Sequence, residues 1–143
     1  MEYCSNVWDP HTQKDVKKIE MVQRRAARFV TNTPHHKQSA EHVSITKTIK
    51  DLGWQPLSER RKNNRIIMLY RIVNNLVDIP QSYHPKLRHP QPVRGNQYQY
   101  QRPAAEIEVF EHSFLPRTIK DWNNLSSTVV AVDSLESLRR HLF

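Results

Sequence analysis

Apolar residues recur at helical spacing in several stretches of this chain, separated by polar or Pro-containing intervals. Over residues 12–30, Val16, Ile19, Ala26, Ala27 and Val30 share one side of a helix, with Val22 and Phe29 at its edge. Asp9-Pro10 precedes this stretch, and Thr12 with Asp15 resembles a capping box. Thr31-Asn32-Thr33-Pro34 ends it, because proline disfavours helical backbone in the residue before it. Residues 34–42 read as a polar loop holding His35, His36 and His42. Ser44 is placed to cap a short helix over 44–52 with Ile45, Ile49 and Leu52 on its apolar face, and Gly53 suits the position just past its end. Pro56, as a first-turn proline, opens a long helix over 56–76. That helix carries Leu57, Ile66, Ile67, Leu69, Tyr70, Val73 and Leu76, and its second half is apolar nearly all round, as a central buried element requires.

The pattern then changes. Residues 79–105 hold five prolines, five glutamines and no acidic residue, with no helical or strand period, and read as an extended linker or arm. EIEVFE (106–111) partly alternates and suggests a short strand. Phe114-Leu115-Pro116 leads into a short helix ending near Asn124. Asp133-Ser134-Leu135-Glu136 starts a last one, with Leu135, Leu138 and Leu142 on one face. The expected fold is mainly α: a helical basic domain over 1–78, an extended basic Pro/Gln-rich arm over 79–105, and a strand with short C-terminal helices over 106–143 packing back on the domain. Trp8, Trp54 and Trp122 are expected to be largely buried, since large aromatics dominate small cores.

Composition sharpens this picture. Lys and Arg outnumber Asp and Glu by 22 to 14, which points to nucleic acid ahead of anionic membrane as a partner. Hydrophobic residues are only 37% of the chain, so the core is thin and a partner or further sequence is expected to support it. Cys4 is the single cysteine, which excludes an internal disulfide and any zinc site with two thiolates, and suits a reducing compartment. With no apolar run of membrane-spanning length and no secretory signal, the expected location is intracellular, nuclear or cytoplasmic, with no membrane partner.

Three groups of side chains suggest phosphate contact. Lys14, Lys17, Lys18, Arg24, Arg25 and Arg28 fall within an arc of roughly 120° on the first helix, opposite its apolar stripe. A one-sided row of cations neutralises phosphates and releases counterions, although a solvated helix face has the same pattern. Arg60, Arg61, Lys62 and Arg65 open the long helix; they form either a second contact or a solvated first turn. In the acid-free arm, Lys86, Arg88, Arg94 and Arg102 alternate with Tyr83, Tyr98 and Tyr100, as in single-strand binders that stack bases on rings; a linker with incidental tyrosines is the other reading.

Catalytic patterns are absent. Gly53 and Gly95 are the only glycines, which excludes the P-loop, the dinucleotide fingerprint and the nucleophile elbow. No Asp-Asp pair exists for two-metal chemistry, and Glu106, Glu108 and Glu111 read as a solvated strand face. The histidines and Cys4 lack metal-ligand spacing, and nothing near Cys4 in sequence lowers its pKa. The isolated chain is therefore expected to be no enzyme and to hold no metal or cofactor.

Three segments, EYCSNVWDPHTQKDVKKIEMVQRRAARFV (2–30), LGWQPLSERRKNNRIIMLYRIVNNLVDIP (52–80) and HSFLPRTIKDWNNL (112–125), together carry a resemblance. In this order and spacing, with VWDP, QRRAARF, ERR and DWNNL in place, they resemble the C-terminal region of reverse transcriptases from LINE-type, non-LTR retrotransposons of the jockey and CR1 kind. The resemblance covers nearly the whole chain. It implies a region that follows the polymerase palm and includes or adjoins the thumb, gripping template RNA and target DNA during target-primed reverse transcription. The family's aromatic-Ala-Asp-Asp turn and its endonuclease domain have no counterpart here, so no catalytic residue carries over. Met1 stands where the family continues without a break, which implies a truncated element copy or a gene model covering its 3′ end. Two roles follow: a nucleic-acid-binding tail of an RNA-directed DNA polymerase, or a structural subdomain that docks on the upstream polymerase domain with no nucleic-acid affinity of its own.

Overall fold

Thr12 starts the first helix as its spacing with Asp15 predicts. Its hydroxyl oxygen accepts from the Asp15 N–H at 3.3 Å and its O–H donates to the Asp15 carboxylate at 2.7 Å. The computed structural model describes residues 4–32, 45–90 and 96–143. The expectations for the 34–42 loop, for Ser44 as a cap and for Arg94 lie outside these residues. Seven helices are described: α1 (Gln13–Val30), α2 (Ile45–Asp51), α3 (Leu57–Val73), α4 (Glu108–Glu111), α5 (Phe114–Asn123), α6 (Ser127–Val130) and α7 (Leu135–Leu142). The fold is mainly helical; among the described residues β pairing is confined to one antiparallel bridge, Leu87 with Tyr100. No described helix is long and apolar enough to cross a membrane.

The chain divides into two compact units, Pro10–Arg60 and Met1–Asp9 with Arg61–Phe143. The division falls inside α3, so the expected boundaries after residues 78 and 105 are corrected. The α3 face predicted to be the central element belongs to the second unit, while its first turn belongs with α1.

In the Pro10–Arg60 unit, α1 packs on α2. Gln23 and Ala27 are buried on α1 and Thr48 on α2. The Gln23 side-chain amide donates to the Gln55 carbonyl at 2.8 Å, and the Glu20 carboxylate accepts the Ser58 N–H at 2.8 Å in the first turn of α3, where an acidic group also complements the helix dipole. Gly53 (φ +67°) ends α2: its N–H donates to the Lys50 carbonyl and that of Trp54 to the Ile49 carbonyl. This is a Schellman cap. Trp54 is half-buried, and Val30, predicted to face inward, is exposed.

The second unit is built round the far half of α3. Ile66, Ile67, Leu69 and Tyr70 join Ile119 and Trp122 of α5, Val130 of α6, Leu138 of α7 and Tyr100 in one core. Each such side chain contributes roughly 1.5–3 kcal/mol by leaving water. Ser134 caps α7 by accepting the Ser137 N–H at 3.1 Å, one residue later than the Asp133–Glu136 spacing suggests. The Asn63 amide donates to the Leu142 carbonyl at 2.6 Å and ties α3 to the end of α7.

Two further expectations are corrected here. Residues 106–111 are not a strand: Glu108–Glu111 forms a single helical turn, with Ile107 and Val109 exposed. Alternation alone cannot make a strand without a partner edge. The described parts of 79–105 are mostly extended, as expected, but they are held in place rather than forming a flexible arm. Lys86 and Arg88 pair with Gln101 and Gln99 through backbone hydrogen bonds of 2.8 and 2.9 Å. Asn123 then clamps Tyr100 as a neighbouring strand would, its amide oxygen accepting the Tyr100 N–H at 3.0 Å and its amide nitrogen donating to the Tyr100 carbonyl at 2.9 Å. Trp122 Nε1 donates to the Tyr98 carbonyl at 2.9 Å, and Asn96 donates to the Trp122 carbonyl at 3.0 Å. Side-chain amides and an indole satisfy backbone that has no sheet to join.

Candidate nucleic-acid interface

α1 presents its cations as the helical period requires. Gln23 and Ala27 define its inward face, and Lys14, Lys17, Lys18, Arg24 and Arg25 are all exposed on the other side. Arg28 is half-buried and already engaged. Lys18 is held by the Asp15 carboxylate at 2.9 Å, and the hydrogen bonds from Lys18 and Thr12 keep the Asp15 carboxyl below its ordinary range. Lys14, Lys17, Arg24 and Arg25 have no acidic partner among the described residues. Four of the six cations are thus available to an external anion. Met21 lies among them, and Val22 and Phe29 border the row, Phe29 being 88% exposed. The Pro10–Arg60 unit as a whole has ten basic residues against five acidic ones, so the local field favours anions.

The cluster expected at the start of α3 is corrected. Arg61 is 2% exposed and Arg65 3% exposed, so neither faces solvent. Arg65 donates through Nη1 to Asp9 Oδ2 and through Nη2 to Asp121 Oδ2, the latter at 2.8 Å. Arg117 Nη1 lies 3.1 Å from Asp9 Oδ2 and donates to the Asp9 carbonyl at 3.0 Å. The Arg61 guanidinium stacks 4.8 Å above the Trp8 ring, with its Nη1 4.0 Å from Asp9 Oδ1. Trp8 is consequently 46% exposed rather than buried, serving as a platform for a cation. Burial pushes the Arg65 guanidinium below its ordinary pKa, and the Asp121 hydrogen bond opposes that shift. Arg60 is half-buried and engaged, and Lys62 is half-buried. Arg60 belongs to the unit of α1 and the other three to the second unit.

The signal for this network was present in the helical period. At about 100° per residue, Arg61 and Arg65 share a face with Leu57, Leu69 and Ile72. Arginines in register with an apolar stripe need buried carboxylates, and the chain supplies them from Asp9 and Asp121. Three motifs of the resemblance, VWDP, ERR and DWNNL, therefore meet in one cluster through Asp9, Arg61 and Asp121.

Of the arm residues, Tyr98 is exposed, but Tyr100 is buried against Trp122, with ring centroids 6.1 Å apart, and offers no face to a base. This corrects its expected role. Arg88 donates to the Gln99 side chain at 2.9 Å, and Arg102 pairs with Glu111 at 2.7 Å, which holds the Glu111 carboxyl below its usual range.

Comparison of the chain with protein-family models, with curated proteins and with solved structures finds no match.

Proposed function

We propose that this chain is a non-catalytic C-terminal portion of a retrotransposon RNA-directed DNA polymerase that binds template RNA or target DNA through phosphate contacts. The observation that carries the reading is the exposed row of Lys14, Lys17, Arg24 and Arg25, unpaired among the described residues and set opposite the packed face of α1. The convergence of VWDP, ERR and DWNNL on one ion-pair cluster supports it too, since motifs far apart in sequence serve a single folded unit. Partners on this reading are nucleic acid and the upstream polymerase domain, with no catalytic residue, metal or cofactor contributed by this chain.

The experiment is a salt titration of binding to single-stranded RNA and to duplex DNA between about 50 and 200 mM salt. Four phosphate contacts give a slope of log K against log salt of roughly −3.5 on duplex. Arg24→Gln with Arg25→Gln flattens it by about 2 and leaves helicity intact, because Gln is also a good helix former. An unchanged slope in that variant removes α1 as the binding face. The exposed Val22, Phe29 and Val30 favour a second reading, a subdomain that docks on the polymerase domain and binds no nucleic acid. On that reading binding is weak at every salt concentration.

A further inference from the structure

The outer face of α1 carries a ring as well as its cations. Phe29 is 88% exposed, the most exposed large apolar side chain among the described residues. At about 100° per residue it stands about 40° round the helix from Arg25 and about 60° from Lys14. It lies about 120° from Gln23 and about 160° from Ala27, the two side chains that face inward. Arg25 precedes it by four residues, so the two side chains rise side by side on one surface. Phe29 and Trp54 are the only aromatic residues of the Pro10–Arg60 unit, and Trp54 is half-buried. Neither packing nor helix formation accounts for this ring. Phenylalanine is a mediocre helix former, and burying it would contribute roughly 1.5–3 kcal/mol that the thin core of this unit forgoes.

From this placement we infer that the α1 face takes single-stranded nucleic acid in preference to duplex. Its phosphates lie on Lys14, Lys17, Arg24 and Arg25, and one unpaired base stacks on Phe29. Cations alone do not favour a single strand, because a duplex carries the denser charge. A ring reverses that preference: every base has a π-face, and it is free only where the base is out of a duplex stack. The planar guanidinium of Arg25, one turn before Phe29, is placed to flank the same base. The tyrosines expected to stack bases belong to the other unit, where Tyr100 is buried; Phe29 supplies the ring beside the cations. This inference rests on the nucleic-acid reading of α1. Phe29 carries no charge, however, so its contribution separates from the salt-dependent one.

The test is fluorescence anisotropy of the full chain with three end-labelled ligands: an oligodeoxythymidine strand, an abasic strand of the same length, and duplex DNA. The thymidine strand is expected to bind roughly fivefold to 150-fold more tightly than the abasic strand, whose phosphates are the same. Phe29→Ala is expected to remove that difference while leaving duplex affinity, the salt slope and the circular dichroism spectrum unchanged. Phe29→Trp is expected to retain the difference, and Phe29→Leu, apolar but without a π-face, to lose it. A steep salt slope with equal affinity for the thymidine and abasic strands overturns the inference and leaves the nucleic-acid reading standing. Full affinity of Phe29→Ala or Phe29→Leu for the thymidine strand overturns it as well. If no strand binds at any salt concentration, the nucleic-acid reading and this inference fall together, and Phe29 belongs to the docking reading.

Discussion

Asp9 holds two guanidinium groups directly, Arg65 and Arg117, and a third at 4.0 Å, while its own side chain is 9% exposed. Three arginines against Asp9 and Asp121 leave the cluster with one positive charge in excess, so neither carboxylate is spare. Asp9→Asn removes the carboxylate that Arg61, Arg65 and Arg117 share, leaving Asp121 alone against three guanidinium groups, and is expected to cost about 3 kcal/mol, read as a lower urea midpoint. Its surface counterpart, the Asp15–Lys18 pair, is screened by water and contributes little. Tyr100 gives a pH signature. Burial raises its phenol above the ordinary 10.0, so the folded chain keeps a proton that the unfolded chain loses. Its contribution is complete below pH 10.0 and is lost as pH rises through the raised folded value. Tyr100→Phe is therefore expected to flatten the alkaline fall in stability, seen in thermal melts on either side of that pH. None of this was legible from charge counts. An arginine counted by charge reads as a surface cation; only the helical register of Arg61 and Arg65 with Leu57, Leu69 and Ile72 marked them as buried, and Asp9 lies far from Arg65 in sequence.

At the scale of elements, the helices that were legible had a cap, an apolar face or both. α1 had Thr12 and the stripe through Ala27, α2 had Gly53, α3 had its apolar second half, and α7 had Ser134 with Leu138. α4 had neither, and Ile107 and Val109 mimicked a strand because a single turn is too short to show a period. The caps carry measurable energy. Gly53 sits at φ +67° with nothing within 4 Å of where a Cβ would stand, so Gly53→Ala meets only backbone strain. A loss of about 1 kcal/mol in chemical denaturation is expected. Asn75 fills the same role at the end of α3 with φ 54°, its N–H donating to Ile72 and that of Leu76 to Arg71. Asparagine tolerates this conformation better than other side chains, which is why no glycine was needed to mark that end.

For the whole molecule, the mainly helical class followed from pattern alone, but the partition did not. A proline- and glutamine-rich stretch reads as a linker because its side chains lack a period. The structure instead satisfies its backbone through Asn123, Trp122 and Asn96, a solution specific to these side chains that leaves no periodic trace. The division inside α3 was hidden for a related reason: a continuous helix shows no break in sequence where its neighbours change. The placement of Asp9 with the second unit has a consequence in time. During synthesis Asp9 leaves the ribosome long before Arg117, which follows it by 108 residues. At about 5–20 residues per second, that gap lasts roughly 5–20 s. From the completion of α3 at Val73 onward, its apolar half waits uncovered for α5 and α7, and Arg65 waits for Asp121. The second unit thus cannot close until α7 has been made, and the nascent chain is the stage at which chaperones have most to hold.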